Sequence, residues 1–211
     1  MNHSQRVRIA IAWLLSLLSV PIAASAQSGP GPIDVKGVYV NPASGMTFPL
    51  AVGEFTRSGL FRFDRNERDV SASYNLVSGP SGIVATVYVY PSPMPPASNR
   101  SADARAEACR GEMERRKQEI DSYRPGAVLI AERDTELQQG GRTYPGRLAI
   151  FEFEASFRGQ TQMLHSELYV FCSVADSWAF EYRFTAPKAF DYAGPIAAFM
   201  RGLPWTVHPA Q

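Results

Sequence analysis

The sequence predicts an α+β fold: a mostly antiparallel β-sheet with one long helix and a C-terminal helix packed on it, as in an α/β/α sandwich. Residues 144–184 contain three segments typical of β-strands, joined by short turns: the first and third have two-residue periodicity, and the middle one is apolar on both faces. Residues 101–123 instead show the three- and four-residue apolar spacing of an amphipathic helix. Strands therefore precede and follow one long helix, and this order favours an antiparallel sheet with helices packed against it.

The first residues have the features of a secretory signal peptide. Two arginines precede an apolar run at residues 9–20, and the small residues Ala24 and Ala26 occupy the positions that a signal peptidase reads. We therefore expect cleavage between Ala26 and Gln27 and a periplasmic or secreted protein. The run of about a dozen residues is shorter than the roughly 20 that a membrane-spanning helix needs, so no stable membrane insertion is expected after cleavage. Retention of the leader as a membrane anchor is the alternative.

Downstream of this predicted signal peptide (residues 1–26), the chain has the length of one ordinary domain. Residues 27–37 are rich in Gly and Pro and are interpreted as a linker without helix or sheet ladder, residues 38–207 as a single α+β domain, and residues 208–211 as a tail. The formal net charge is +1, and loss of the two leader arginines takes it to −1. This balance gives no sign of a nucleic-acid partner or a membrane-surface partner.

The segments before the long helix have the alternation and the turn residues of short strands. Pro49 restricts its neighbourhood to a strand end or a sheet edge, because proline donates no ladder hydrogen bond. Residues 83–90 are rich in β-branched and aromatic side chains and predict a strong strand. The strands expected here are 38–40, 46–48, 54–57, 60–63, 70–76 and 83–90.

Ser101 is the expected N-cap of the long helix, and Pro125–Gly126 ends it. The charged residues between its apolar positions are interpreted as a solvent-exposed outer face. A second, short helix is expected from near Gly194. The face of the long helix expected to contact the sheet consists of Ala102, Ala106, Cys109, Met113, Arg116, Ile120 and Tyr123. The inner face expected for the short helix consists of Ile196, Phe199 or Met200, and Leu203.

After the long helix, two short strands at 128–131 and 135–138 lead into the three strands of residues 144–184. In the first and third of these strands, aromatic residues alternate with polar or small ones, and we expect the aromatic residues to cover one face of the sheet. Residues 168–172 are apolar at every position, which is typical of a central strand covered on both sides. The alternating positions are Phe151, Phe153, Ala155, Phe157, Trp178, Phe180, Tyr182 and Phe184.

Cys109 and Cys172 are the two cysteines of the chain. In an oxidising compartment an even pair is most simply a disulfide, which would join the long helix to the central strand. Two separately buried thiols are the alternative, because cysteine is among the most buried residue types. Neither cysteine has a histidine or a small-residue motif near it in the sequence, so a catalytic cysteine is not expected.

The sequence predicts no catalytic centre, cofactor site or metal site. His165 and His208 stand at no metal-ligand spacing from another ligand, and His165 is interpreted as a half-buried strand residue. Phosphate-loop, dinucleotide and nucleophile-elbow motifs are absent from the sequence. The later strands carry acidic and basic residues at matching positions, which predicts cross-strand ion pairs on a polar sheet face. These residues are Glu152, Glu154, Glu167 and Glu181, with Arg147, Arg158 and Arg183.

Several local patterns, in their order along the chain, resemble the PsbP/Mog-like superfamily. They are Phe48–Pro49, Gly53–Arg57, Val70–Tyr74 and Ala85–Tyr90, followed by one long helix and an aromatic strand run. The group includes PsbP of photosystem II, the Ran-binding Mog proteins and DcrB-like bacterial envelope proteins. The resemblance covers about residues 38–205 and implies an α/β/α sandwich. It also implies a protein that binds partners or assists assemblies, because catalysis is not typical of this fold. No functional residue carries over, because no binding motif matches position by position.

These features predict an exported, non-catalytic module that binds another envelope protein or supports an assembly. The alternative is a small-molecule or lipid-binding protein, or a hydrolase, with its site in a cleft between helix and sheet. Trp178, Tyr182 and Trp205 are the residues expected to line such a cleft or a partner-binding face.

Overall fold

The computed structural model describes residues 29–94 and 101–209, so the predicted signal peptide and its cleavage point lie outside the described residues. Within these ranges the chain forms eleven strands and two helices. The strands before the long helix are β1 (Gly31–Pro32), β2 (Tyr39–Val40), β3 (Thr47–Phe48), β4 (Ala51–Val52), β5 (Phe55–Arg62), β6 (Val70–Ser78) and β7 (Ser81–Pro91). They are followed by α1 (Ala102–Tyr123), β8 (Val128–Gln139), β9 (Arg142–Phe157), β10 (Gln160–Val174), β11 (Trp178–Pro187) and α2 (Ala193–Gly202).

Nine of the strands form one antiparallel sheet in the order β1-β5-β6-β7-β11-β10-β9-β8, with β4 also pairing with β5. Strands β2 and β3 form a separate hairpin. The α+β class and the mostly antiparallel sheet are therefore confirmed.

The structure differs from the expected strands at four places, one of which is β4, a strand that the sequence did not predict. The two strands expected at 54–57 and 60–63 form the single strand β5. Those expected at 128–131 and 135–138 form the single strand β8. In β5 a bulge between Arg57 and Gly59 lies at the interruption seen in the sequence. Gly31 and Pro32 pair with β5, so the expectation that residues 27–37 form no ladder is wrong at these two positions. Proline is tolerated there because β1 is an edge strand.

Side chains of the central strand β10 alternate between two hydrophobic clusters, one on each face of the sheet. Leu168, Val170 and Cys172 belong to the smaller cluster, which includes residues of α1. Phe171 belongs to the larger cluster, which includes residues of α2. Burial on both faces confirms the prediction for residues 168–172.

The aromatic residues of β9 and β11 lie on opposite faces of the sheet, so the expectation of one shared face is wrong. Phe153 of β9 stands opposite Leu164 of β10, and both belong to the smaller cluster. Phe184 of β11 pairs with Glu167 of β10, and both side chains point to the other face of the sheet. Phe184 belongs to the larger cluster. The β9–β10 register is set by the two-residue turn Arg158–Gly159, with φ angles of 50° and 81°. Shifting a register by one residue moves every side chain to the other face.

Ser101 caps α1 as predicted, because its hydroxyl accepts a hydrogen bond from the Ala104 N–H at 3.2 Å. Helix α1 contacts β9 and β10. Ala106 and Tyr123, which were also expected on the inner face, are exposed. The residues of that expected face that are buried or half-buried are Cys109, Met113, Arg116 and Ile120.

The predicted disulfide between Cys109 and Cys172 is confirmed. The Sγ atoms are 2.00 Å apart and the Cα atoms 5.5 Å apart. Because Cys109 lies in α1 and Cys172 in β10, the bridge fixes the helix covalently to the central strand of the sheet.

The C-terminal helix α2 begins near the expected position and buries the expected face. Ile196, Phe199 and Met200 are buried in the larger cluster. The side-chain amide of Gln139, at the end of β8, donates hydrogen bonds to the carbonyls of Met200 and Leu203 at 2.7 and 3.1 Å. These bonds satisfy carbonyls that a helix end leaves without partners.

The segment after α2 packs against the larger cluster through Trp205 and Val207. The His208 N–H donates to the carbonyl of Ser44 at 2.9 Å, and the His208 carbonyl accepts a hydrogen bond from the Trp178 indole at 2.8 Å. His208, which the sequence places in the tail, is therefore fixed to the domain.

Candidate functional site

Two grooves flank α1. The first lies between the C-terminal half of the helix and strands β7, β10 and β11, with a volume of about 580 Å³. We call it the tyrosine groove, because Tyr88, Tyr90 and Tyr123 line it. The second, of about 950 Å³, lies between the N-terminal half of α1 and strands β8, β9 and β10. We call it the disulfide groove, because Cys109 and Cys172 line it.

Strand alternation places the side chains of β7 in the tyrosine groove. Val84, Thr86, Tyr88 and Tyr90 point to the groove, while the residues between them belong to the larger cluster on the opposite face. Four groove residues two positions apart span roughly 20 Å at about 3.4 Å per residue. The groove is thus long and open, and it follows the direction of a strand.

Arginine side chains stack on aromatic rings along this groove. The guanidinium carbon of Arg116 lies 4.4 Å from the ring centroid of Tyr90. That of Arg183 lies 5.0 Å from the Tyr88 centroid. Each contact is a cation–π interaction, which holds the guanidinium plane against the ring face.

A network of ion pairs underlies these stacked arginines. Arg116 contacts three carboxylates: its Nε lies 2.8 Å from Glu112 and 3.1 Å from Glu181, and its Nη1 lies 2.6 Å from Glu119. Arg183 contacts Glu119 at 2.8 Å and also pairs with Glu181 on its own strand. The network therefore links α1 to β11 by charge-assisted hydrogen bonds rather than by apolar packing.

Two acids of the network, Glu112 and Glu181, are completely removed from solvent. Burial raises the pKa of Glu181, and Arg183 and Arg116 oppose that effect. Burial also raises the pKa of Tyr90, whose protonated hydroxyl donates to Glu112 at 2.9 Å. Buried charges of this kind stay ionised only when they are paired and hydrogen-bonded.

The hydroxyl groups at the floor of the groove form no nucleophile–base pair with the described residues. Ser166 and Thr185 share a hydrogen bond with each other at 3.2 Å. A hydrolase of the serine type needs the hydroxyl to contact a general base.

One acid of the tyrosine groove lies outside the network. Asp69 lines the groove, and its carboxylate accepts no hydrogen bond and forms no ion pair within the described ranges 29–94 and 101–209. Burial raises the pKa of Asp69 to about 6 from an ordinary value of 3.8, Arg116 opposes this effect, and Asp64 and Glu119 add to it.

In the disulfide groove Arg147 has two acidic partners. Arg147 pairs with Asp134 at 2.8 Å and with Glu132 at 2.5 Å. Lys117 of α1 reaches the same Glu132 at 2.6 Å. Burial acts to raise the pKa of Glu132, but the hydrogen bonds from Lys117 and Arg147 outweigh it and lower that pKa. These contacts join α1 to β8 and β9.

The aromatic residues expected at a cleft or partner face lie in the larger cluster. Trp178 and Tyr182 are buried, and Trp205 is half-buried and donates its indole N–H to the Tyr182 hydroxyl. Trp205 also stacks on Phe180, with ring centroids 4.4 Å apart. None of the three lines the tyrosine groove or the disulfide groove.

The acidic residues of the later strands do not form the expected ion pairs on a polar sheet face. Glu181 is buried and pairs within β11, because its side chain points to α1 and not to solvent. Glu152 pairs with Lys188 at 2.7 Å. Glu154 is exposed. Among the arginines, Arg147 does form a cross-strand pair, but its partner is Asp134 of β8.

His165 is more buried than expected, with 7% of its surface exposed. Its Nε2 lies 3.0 Å from a carboxylate oxygen of Glu167, which also accepts the Tyr169 hydroxyl at 2.6 Å. The imidazole stacks on Tyr192, with centroids 4.0 Å apart. In the part of the chain that the structure describes, no three His, Cys, Asp or Glu residues come together as a metal site.

The sequence reasoning missed the acids of α1 that complete the network. Glu119 was assigned to the solvent-exposed face of α1, and Glu112 was not considered. Glu112 is in fact buried. Glu112 and Arg116 stand four residues apart, which places them on the same side of a helix. That spacing was the available signal.

Comparison with known protein families finds no family model that matches the chain, and comparison with curated proteins finds no match either. The resemblance to the PsbP/Mog-like superfamily therefore stays a prediction. Neither helix of the described ranges has both the length and the apolar character needed to cross a membrane.

Proposed function

We propose that this protein is an exported, non-catalytic envelope module that binds another protein or supports an assembly, and that the tyrosine groove is its binding site. The observation that carries the proposal is the shape and lining of this groove. It is an open channel of about 580 Å³ between helix and sheet, walled by aromatic rings and by arginines already paired with acids. A channel roughly 20 Å long accommodates about six residues of an extended chain, which is more than a compact small ligand fills.

Export is part of the proposal. The leader at residues 1–26, cleaved between Ala26 and Gln27, would deliver the protein to the periplasm or to the exterior. The Cys109–Cys172 disulfide supports this location, because such bridges form and persist in oxidising compartments.

The finer architecture is also proposed here: an α/β/α sandwich of the PsbP/Mog-like kind. Two clusters on opposite faces of one sheet support it, since one includes residues of α1 and the other residues of α2. Members of that superfamily bind partners or assist assemblies, which agrees with a non-catalytic role.

Binding of a small molecule or lipid is the second candidate function. The disulfide groove favours it, because its volume of about 950 Å³ lies within the range of ligand pockets, about 300–1,000 Å³. Saturation of this groove by a ligand co-purified from the envelope, with the tyrosine groove left empty, would favour this candidate over the first.

Photo-crosslinking tests the proposed function. A benzophenone amino acid replaces Tyr123, which is 73% exposed at the rim of the tyrosine groove. The matched control carries it at Leu50, which is 47% exposed and outside the groove. We expect irradiation of an envelope extract to give one defined protein adduct at position 123 and none at position 50. Recovery of the free monomer from both variants would contradict the proposal.

A further inference from the structure

The turn that carries Asp69 is held in one conformation by a neighbouring acid. Asp64 accepts hydrogen bonds from the backbone N–H groups of Asn66, Arg68 and Asp69 at 2.7, 3.3 and 2.8 Å. The Phe63 N–H donates to the Asp69 carbonyl at 2.8 Å and closes the turn. The unpartnered Asp69 carboxylate is therefore a fixed group of the groove wall rather than a mobile surface acid.

Charges of both signs lie near Asp69. Asp64 of the same turn and Glu119 of α1 act on it with the same sign, and Arg116 of α1 acts with the opposite sign. Arg116 is already paired with three acids, and Arg183 of β11 with two. Arg116 and Arg183 are thus occupied by their own carboxylates, and Arg124, the third arginine of the groove, lies over the Phe153 ring with its guanidinium carbon 5.7 Å from the centroid. Within the described ranges Asp69 forms an ion pair with none of the three. A bound cation at this point would favour the ionised carboxylate.

The walls beside Asp69 suit a cation on a long apolar stem. Phe63 and Tyr88 lie with their ring centroids 6.1 Å apart, and both line the groove. Aromatic faces attract ammonium and guanidinium groups, and their apolar surface packs on methylene chains. The length of the groove then accommodates the backbone to which such a side chain is attached.

We propose that the tyrosine groove binds an extended segment of a partner protein and that its anchor is a lysine or arginine side chain whose cation pairs with Asp69 and whose stem packs along the groove wall. This inference rests on the proposed function and adds the chemical class of the partner residue.

Defined peptides test the anchor without the partner. The probes are acetyl-Ala-Val-Lys-Val-Ala-amide and the same peptide with norleucine or glutamate at the central position. Binding to the mature protein is followed by isothermal titration calorimetry at pH 7.5. We expect the norleucine peptide to bind about tenfold more weakly than the lysine peptide, because it keeps the stem and loses the charge. The glutamate peptide should not bind.

Two variants locate the interaction. Asp69→Asn should weaken lysine-peptide binding about tenfold and leave norleucine-peptide binding unchanged. Asp121→Asn, which removes the same charge from an exposed position of α1, should change neither. Lysine-peptide binding to the wild-type protein should also weaken from pH 7.5 to pH 5, because Asp69 becomes protonated below about 6, and Asp69→Asn should abolish that pH dependence.

Equal affinity for the lysine and norleucine peptides, or an unchanged affinity in Asp69→Asn, would overturn the inference. So would failure of every peptide to bind, or preference for the glutamate peptide. The peptide comparison uses the wild-type protein, so it decides the question even where a variant fails to fold. A crosslinked partner at position 123 combined with any of these results would retain the proposed function and reject only the anchor.

Discussion

Loss of the Cys109–Cys172 disulfide is expected to lower the free energy of unfolding by about 4 kcal/mol. The bridged residues are 63 positions apart. The chain-entropy relation for a closed loop of that length gives about 4 kcal/mol at 25 °C. The effect arises in the unfolded chain, which the bridge confines by keeping the segment of α1 near that of β10. In the folded state a Cys109→Ala, Cys172→Ala double variant loses only two buried sulfur atoms.

Urea unfolding of the double variant and of the oxidised wild-type protein measures this difference. Tryptophan fluorescence reports the transition, because Trp178 is buried in the larger cluster. At about 2–4 °C per kcal/mol for a domain of this size, the melting temperature should fall by roughly 8–16 °C. Wild-type protein in dithiothreitol should match the double variant, and the reductant should not change the double variant. Equal midpoints for oxidised and reduced wild-type protein would refute the reasoning.

Five other substitutions have expected effects on stability. Gly146→Ala should destabilise by about 1–3 kcal/mol, because its Cβ would meet a phenylalanine ring of β10 at 2.5 Å. Gly111→Ala, on exposed α1 with no atom within 4 Å, should instead stabilise by about 1 kcal/mol, and urea midpoints check both signs. Glu181→Gln should cost about 3 kcal/mol, because it removes a buried carboxylate that pairs with the two half-buried arginines Arg116 and Arg183. The exposed Glu154→Gln should cost less than about 0.5 kcal/mol, and equal losses would contradict this account. The stability of Asp69→Asn relative to the wild type should increase as the pH rises. The pKa of Asp69 is about 6 in the folded protein and 3.8 ordinarily, so ionisation of Asp69 destabilises the folded wild type, and asparagine has no such cost. Melting temperatures at pH 4 and pH 7.5 test it, and a larger gain at pH 4 would show the opposite sign.

The sequence allowed the elements to be predicted where local chemistry decides them. Two-residue alternation located β9 and β11, an unbroken apolar run located β10, and Ser101 located the start of α1 through its capping hydrogen bond. The disulfide followed from an even cysteine count and a predicted oxidising compartment. Each of these signals lies within a few residues or in the composition of the chain.

The faces of the strands could not be predicted in the same way. Alternation within a strand predicts that neighbouring side chains point to opposite faces of the sheet. The register between two strands decides which of their side chains share a face. Here the turn Arg158–Gly159 aligns Phe153 with Leu164 and places the aromatic residues of β11 on the other face. The aromatic residues that were expected at a site, Trp178 and Tyr182, are consequently core residues.

The ion network was missed because its members come from distant parts of the chain. Glu181 and Arg183 alternate with aromatic residues in β11, a pattern that is typical of an exposed polar face. They are covered because α1, about 60 residues earlier in the sequence, lies over them and contributes Arg116 and Glu119. Only the tertiary arrangement converts an apparently polar face into a buried one.

The polarity of the contact between α1 and β11 connects stability with the proposed binding role. Apolar side chains of similar volume often hold two elements together as firmly as buried ion pairs do. Aliphatic packing at Arg116 and Arg183 would, however, remove the stacked guanidinium groups that hold Tyr88 and Tyr90 at the groove. It would also leave Glu119 and Glu181 without counterions and Glu112 with Arg115 alone. Paired arginines therefore perform two tasks at once: they fix the helix over the sheet, and they neutralise the neighbouring acids, so that Asp69 stays a groove acid with no ion pair to the described residues.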